Sequence, residues 1–224
     1  MLKVSLRLFL LGVAGAASSS CGSNQDASEA NFTSAINDSL ANVFCRKLRE
    51  SELRLAPEKS DEPAPFPIIL RANNSYGLSG LPGQREYLEA RASEGLLKRE
   101  SRVAPAAALF AEEPLKPTEM IVYTPTEKGR SIFRGIPGKT AGGDWRPMPA
   151  ACMGEGKVTK ITNFTQPADM LGRKVTDVSY EYRAEGIPEV VPSDQKAELL
   201  QPRTGKATLV LTEKGWVDAG DLER

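Results

Sequence analysis

Three cysteines, Cys21, Cys45 and Cys152, are the most chemically telling residues of this chain, and no histidine accompanies them. A thiol can attack a substrate, ligate a metal, close a disulfide or carry a lipid. The missing imidazole removes the Ser-His-Asp and Cys-His arrangements, every His-ligated metal site, and the usual general base near neutral pH. Carboxylate, lysine or Ser-Lys chemistry stays open. Asp144, Asp169, Asp218 and Asp221 are the candidate acids of a carboxylate-dependent hydrolase, yet none sits in a recognisable motif. Solvated surface is the better reading for each. No glycine-rich phosphate loop, CxxC pair or calcium loop is present, so neither a cofactor nor a metal is expected. Trp145, in Gly142-Gly143-Asp144-Trp145, and Tyr180 are the rings around which a pocket would be sought; Trp145 is expected to fold back onto the core.

The segment before Cys21 reads as a secretory leader. Lys3 and Arg7 give a positive start, residues 8–17 are almost all apolar or small, and Ser18-Ser19-Ser20 lead into the cysteine. The apolar run is shorter than the roughly 20 residues that span a bilayer. This segment resembles a bacterial lipoprotein signal, in which the cysteine after small residues is lipidated and becomes the new N-terminus. Ser18 stands where that family usually carries leucine or another aliphatic residue. The resemblance implies a signal over 1–20, an acyl anchor on Cys21 and a polar tether over 21–27. Gly22, in place of an aspartate after the cysteine, implies the outer membrane, facing the periplasm. With Cys21 taken by lipid, Cys45 and Cys152 remain as one pair able to bridge in an oxidising periplasm. Two separate buried thiols are the alternative. Ala14-Gly15-Ala16 is also an acceptable ordinary cleavage site, which would leave a soluble periplasmic or secreted protein.

Lysine plus arginine equal aspartate plus glutamate at 29 each. Loss of residues 1–20 takes Lys3 and Arg7 and no acid, leaving 27 basic against 29 acidic residues, a net charge of −2. A nucleic-acid binder normally shows a basic excess or patch, so nucleic acid is not an expected partner. Hydrophobic residues at 40% and charged residues at 26% suit a globular protein of one large or two small domains.

The elements that would position these residues follow from periodicity. Phe32, Ile36, Leu40, Val43, Phe44 and Leu48 recur at three- and four-residue spacing and predict a helix over 29–49, capped at Ser28 or Asp26. Cys45 lies at the edge of that stripe. Prolines over 56–67 impose an extended connector. A second helix is expected over 82–94, carrying Tyr87, Leu88 and Arg91 and ending at Gly95. Met120-Ile121-Val122-Tyr123 reads as a strand, and glycines and prolines over 135–149 read as a loop. Alternation predicts strands over 157–164, 175–182 and 206–212, with Val178, Tyr180 and Tyr182 on one face and a short helix over 193–200. Thr126-Glu-Lys-Gly129 recurs as Thr212-Glu-Lys-Gly215, and the two copies read as one local turn device.

Leu88, Gly95, Leu96, Leu97, Tyr123, Thr126, Gly129 and Arg130 resemble the late helix and wing of a winged-helix domain over about 82–133. The resemblance implies the fold of that module, used structurally or to bind protein. Cys152 followed by Gly154 and a strand, with the terminal Leu209-Val-Leu-Thr-Glu-Lys-Gly-Trp216 and a cysteine on a helix near the anchor, is similar to a group of uncharacterised bacterial lipoproteins. The sequence therefore predicts an α+β fold. A helical, winged-helix-like part over 28–134 is followed by the loop and a small antiparallel β-sheet with one or two helices over 150–224, packed against the N-terminal helix. The expected role is a lipid-anchored envelope protein, a non-enzymatic binding or structural module with the membrane and an envelope protein as partners. The carboxylate-dependent hydrolase of an envelope substrate is the alternative.

Overall fold

The structure, a computed structural model, describes residues 23–48, 53–55, 65–72, 83–104, 106–108, 117–139 and 143–222. Cys21, the leader and the proline-rich stretch 56–64 lie outside the described residues. In chain order the first elements are α1 (Glu29–Leu40), β1 (Cys45–Lys47), β2 (Leu53–Leu55), β3 (Ile68–Arg71), α2 (Gln84–Ser93), β4 (Leu97–Ala104), β5 (Ala106–Ala108) and β6 (Thr118–Pro125). There follow β7 (Phe133–Lys139), β8 (Trp145–Cys152), β9 (Glu155–Phe164), β10 (Ala168–Met170), β11 (Arg173–Glu185), α3 (Ser193–Leu199), β12 (Arg203–Thr212) and β13 (Gly215–Asp218). Every strand pairing among them is antiparallel.

The expected division into a helical first part and a small sheet is overturned. Residues 28–134 hold two helices and the strands β1 to β6, and strand dominates the described chain. β3, β6 and β4 pair in that order, β1 joins β8 and β7, and β2 pairs with β5. The largest sheet runs β10-β11-β12-β13, with β9 alongside β11. The winged-helix expectation fails as an account of this part. Its Gly95-Leu96-Leu97 stretch ends α2 and opens β4, an eight-residue strand in a sheet whose β3 edge comes from before the helix.

α1 starts where the sequence places it: the Ser28 hydroxyl accepts from Asn31 N–H at 3.3 Å and Glu29 occupies the positive end. It ends nine residues early, at Leu40 instead of 49. Phe32, Ile36 and Leu40 bury against the largest sheet, beside Val178, Tyr180, Leu209 and Trp216. Phe44 and Leu48, which continue the same periodicity, bury in a different core beside Leu88, Tyr123 and Phe133. One straight helix cannot send its stripe into two cores, so the chain turns at residues 41–44 and enters β1. At that turn Gly156 of β9 has no side chain because a Cβ there would lie 2.8 Å from the Leu40 carbonyl oxygen.

The expected loop over 135–149 is instead the β7–β8 hairpin. Pro137 faces Pro147, and Gly135 faces Pro149, in its register. These prolines share one parity along the strands, pointing their missing N–H away from the β7–β8 ladder. Pro149 still accepts from Leu48 N–H at 2.8 Å on the β1 side. Ile136 and Ala150, at intervening positions, are buried. The repeated Thr-Glu-Lys-Gly device also divides. Thr126 caps a 3-10 turn by accepting from Gly129 N–H at 3.1 Å, whereas Thr212 closes the β12–β13 hairpin by donating to the Gly215 carbonyl at 2.8 Å.

Cys45 and Cys152 face each other across the β1–β8 pair with Cα atoms 3.9 Å apart and form a disulfide. The bond joins residues 107 apart in sequence. Its removal by Cys152→Ala is expected to lower the unfolding free energy in urea by about 2–4 kcal/mol. Phe32, fully buried and edge-on to Phe164 and Trp216 at 5.1 and 5.2 Å, is the centre of the other core. Phe32→Ala is expected to cost about 3–5 kcal/mol in the same measurement, against under about 1 kcal/mol for the exposed Val43→Ala.

Candidate functional site

The four candidate carboxylates do not assemble. Asp144 is exposed before β8 and Asp169 is exposed on β10. Asp218 caps a 3-10 turn, accepting from Gly220 N–H at 2.8 Å, and Asp221 lies in that turn at the chain's far end. Trp145 does not fold back: it is partly exposed at the start of β8 with the Lys139 ammonium 5.3 Å from its ring centre. Tyr180 is a core side chain under α1. Of the predicted positions, Cys45 lines one cleft among the described residues and Asp221 lines another, and Cys152 is bonded to Cys45. Among the described residues no cluster of three metal-ligating side chains occurs.

The Cys45 cleft, of about 560 Å³, lies among β1, α2, α3 and the start of β12. Such a volume is in the range of small-ligand sites. Its floor is the disulfide region: Phe44, Cys45 and Arg46 from the β1 side and Met153 after β8, held by Met153 N–H donating to the Phe44 carbonyl at 3.1 Å. One wall is α2, which presents Tyr87 and Arg91 at i and i+4. The opposite wall is α3, with Gln195, Glu198 and Leu199 on one face, followed by Arg203.

Each element is fixed from behind. α2 ends as the sequence predicts, with Gly95 at φ 72° and Leu96 N–H reaching back to the Arg91 carbonyl at 3.0 Å. Leu88 is fully buried, and Arg85 donates to the Arg71 and Ala72 carbonyls of the β3 end. On the α2 face away from the cleft, buried Tyr123 of β6 donates to Glu89 Oε1 at 2.7 Å, and Arg99 of β4 donates to the same oxygen at 3.0 Å. Burial raises the Tyr123 phenol far above its ordinary range, and the Glu89 carboxylate raises it further. Burial acts on Glu89 in the opposite sense to its two donors, which prevail and hold the carboxyl below its ordinary value.

The lining is rich in guanidinium groups. Arg46 stacks over the Tyr87 ring at 4.4 Å, Arg91 approaches the same ring at 5.3 Å, and Arg203 covers Phe44 at 4.9 Å. Arg91 also pairs with Glu94 at 2.9 Å and Arg203 with Glu198 at 3.9 Å, whereas Arg46 makes no ion pair among the described residues. Burial raises the Tyr87 phenol; Arg91 and Arg46 act the other way without overcoming it. Its hydroxyl therefore stays protonated at neutral pH. The arrangement offers planar cationic donors, a neutral phenol and an amide beside Phe44, Met153 and Leu199. It can hold an oxyanion and an apolar portion of the same ligand.

Tyr87 and Arg91 were placed by the sequence on the predicted second helix, with no face assigned to them. Arg46 and Arg203, 157 positions apart by their numbers, carried no local signal and line one cleft only in the folded chain. Comparison with protein-family models, with curated proteins and with solved structures returns no match.

The Glu89 pair gives a pH test of how α2 is held. A carboxyl lowered in the folded state stabilises fully above its unfolded value, near 4.3, and loses that contribution as pH falls through the folded value. The acid limb of the stability curve is therefore expected to flatten in Glu89→Gln. Tyr123→Phe is expected to cost about 1–2 kcal/mol at pH 7.

Proposed function

We propose that this is an envelope protein held on the outer membrane by lipid on Cys21, a non-enzymatic module that binds an anionic group of an envelope partner in the arginine cleft. The observation that carries the binding half is the lining: three guanidinium groups and one carboxylate, with Arg46 stacked on Tyr87 and lacking an acidic partner among the described residues. Arg91 already has the Glu94 carboxylate at 2.9 Å, so the charge left for a ligand at the shared Tyr87 ring is that of Arg46. The anchoring half is supported by the leader and by Ser19-Ser20-Cys21.

Carboxylate-bearing wall peptides and acidic protein segments are the partner chemistry that suits the cleft. Calorimetric titration with such peptides is expected to give binding that Arg46→Gln weakens about tenfold or more, with Arg203→Gln adding to the loss. Equal affinity in the parent and the double variant would sink the assignment. Labelled fatty acid is expected in the parent and absent from Cys21→Ala.

A further inference from the structure

A second surface lies far from the cleft, at the end of the largest sheet. β10 and β11 are joined by a two-residue turn, Leu171-Gly172, with φ of 51° and 77°. A turn with both central residues left-handed favours asparagine and glycine, and an L side chain other than asparagine or aspartate is disfavoured there. Here the first position is leucine, and it is 100% exposed. Met170 beside it is 61% exposed. Among the described residues the leucine is wholly uncovered, at a φ that disfavours it, so no contact within the domain accounts for it.

The docking of residues 23–26 says from which end of the sheet Cys21 leaves. Residues 23–26 form a turn in which Asp26 N–H donates to the Ser23 carbonyl at 3.0 Å, and the turn is docked on the β12–β13 hairpin. Asn24 Nδ2 donates to the Lys214 carbonyl at 2.9 Å and Gln25 Nε2 to the Glu213 carbonyl at 3.3 Å. Trp216 Nε1 donates to the Asp26 carbonyl at 3.1 Å. The same end of the sheet carries the leucine turn. β11 and β12 run antiparallel with Val175 opposite Val210, and Gly172 and Arg173 line one open hollow with Glu213 and Lys214. Cys21 precedes Ser23 by two residues, a span of at most about 7 Å of extended chain. A bilayer holding a lipid on Cys21 must therefore lie against this end of the molecule.

We infer that the Met170-Leu171 hairpin tip is a membrane-contact element, seated in the headgroup region of the bilayer that holds the Cys21 lipid. The inference rests on the anchoring half of the proposed function. The occupant is lipid and not a protein groove, because a leash of at most about 7 Å leaves this end little room for anything else. Arg173, Lys174 and Lys214 at this end are offset by Asp169, Glu213 and Asp221. The contact is therefore apolar in origin and insensitive to salt.

The test uses the full chain, exported with its own leader, purified and reconstituted in phosphatidylethanolamine/phosphatidylglycerol vesicles. Leu171→Cys is labelled with an environment-sensitive fluorophore, with Glu189→Cys, beyond the opposite end of β11, as the reference. Mass spectrometry reports the acyl group on Cys21. The label at 171 is expected to shift to the blue and to be quenched several-fold more by lipid-borne nitroxide than by aqueous iodide. The reference shows the reverse, and 0.5 M salt changes neither. An acylated, vesicle-bound protein whose label at 171 is as open to iodide as the reference overturns the tip contact and leaves the anchor standing. Absence of the acyl group overturns both. Loss of the blue shift in 0.5 M salt also overturns the apolar contact.

Discussion

The bond between Cys45 and Cys152 sits where the chain changes from one core to another. On the N-terminal side of Cys45, α1 lies on the largest sheet; on its C-terminal side the chain runs towards the β3-β6-β4 sheet. Cys152 stands at the same junction, between the β7–β8 hairpin and the first residues of β9. A covalent link between directly opposed residues fixes the β1–β8 register and with it the relation of the two cores. The cleft inherits that relation: Arg46 follows the first cysteine and Met153 the second. Tyr87 and Arg203 come from the two sides being joined.

Elements with strong local signals were legible in the sequence. The Ser28 cap, the Gly95 stop, the alternation of β11 and the short α3 all follow local rules, and tertiary packing agrees with them. The failures share a cause. Phe44 and Leu48 keep helical spacing with Phe32 and Ile36, but they serve a different core. The β7–β8 hairpin has loop composition, yet its prolines all fall on positions that spare the ladder. Sequence periodicity reports that a residue is buried and at what spacing; it is silent about which neighbour buries it.

Chemical absences narrowed the function more than any motif did. With no histidine in the chain and its candidate aspartates scattered over separate turns, the concentration of charge falls instead on arginines whose sequence positions suggest no association. An overall balance of charges concealed a local excess, because the acids and bases of a neutral chain need not share a face. The Tyr87 ring under Arg46 holds that guanidinium plane without neutralising it, whereas Arg91 and Arg203 each have a carboxylate beside them, so the positive charge of the cleft centres on Arg46.

α1 packs on strands made long after it. Its partners include β12 and β13, and 175 positions separate Leu40 from Gly215. A chain appearing N-terminus first, at roughly 5–20 residues per second, would leave Phe32, Ile36 and Leu40 uncovered for roughly ten to thirty seconds before their sheet exists. Contacts of such high sequence separation also make folding slow. α1, the first helix of the described residues, is thus among the last elements to find its place, and its apolar stripe needs shelter in the interval.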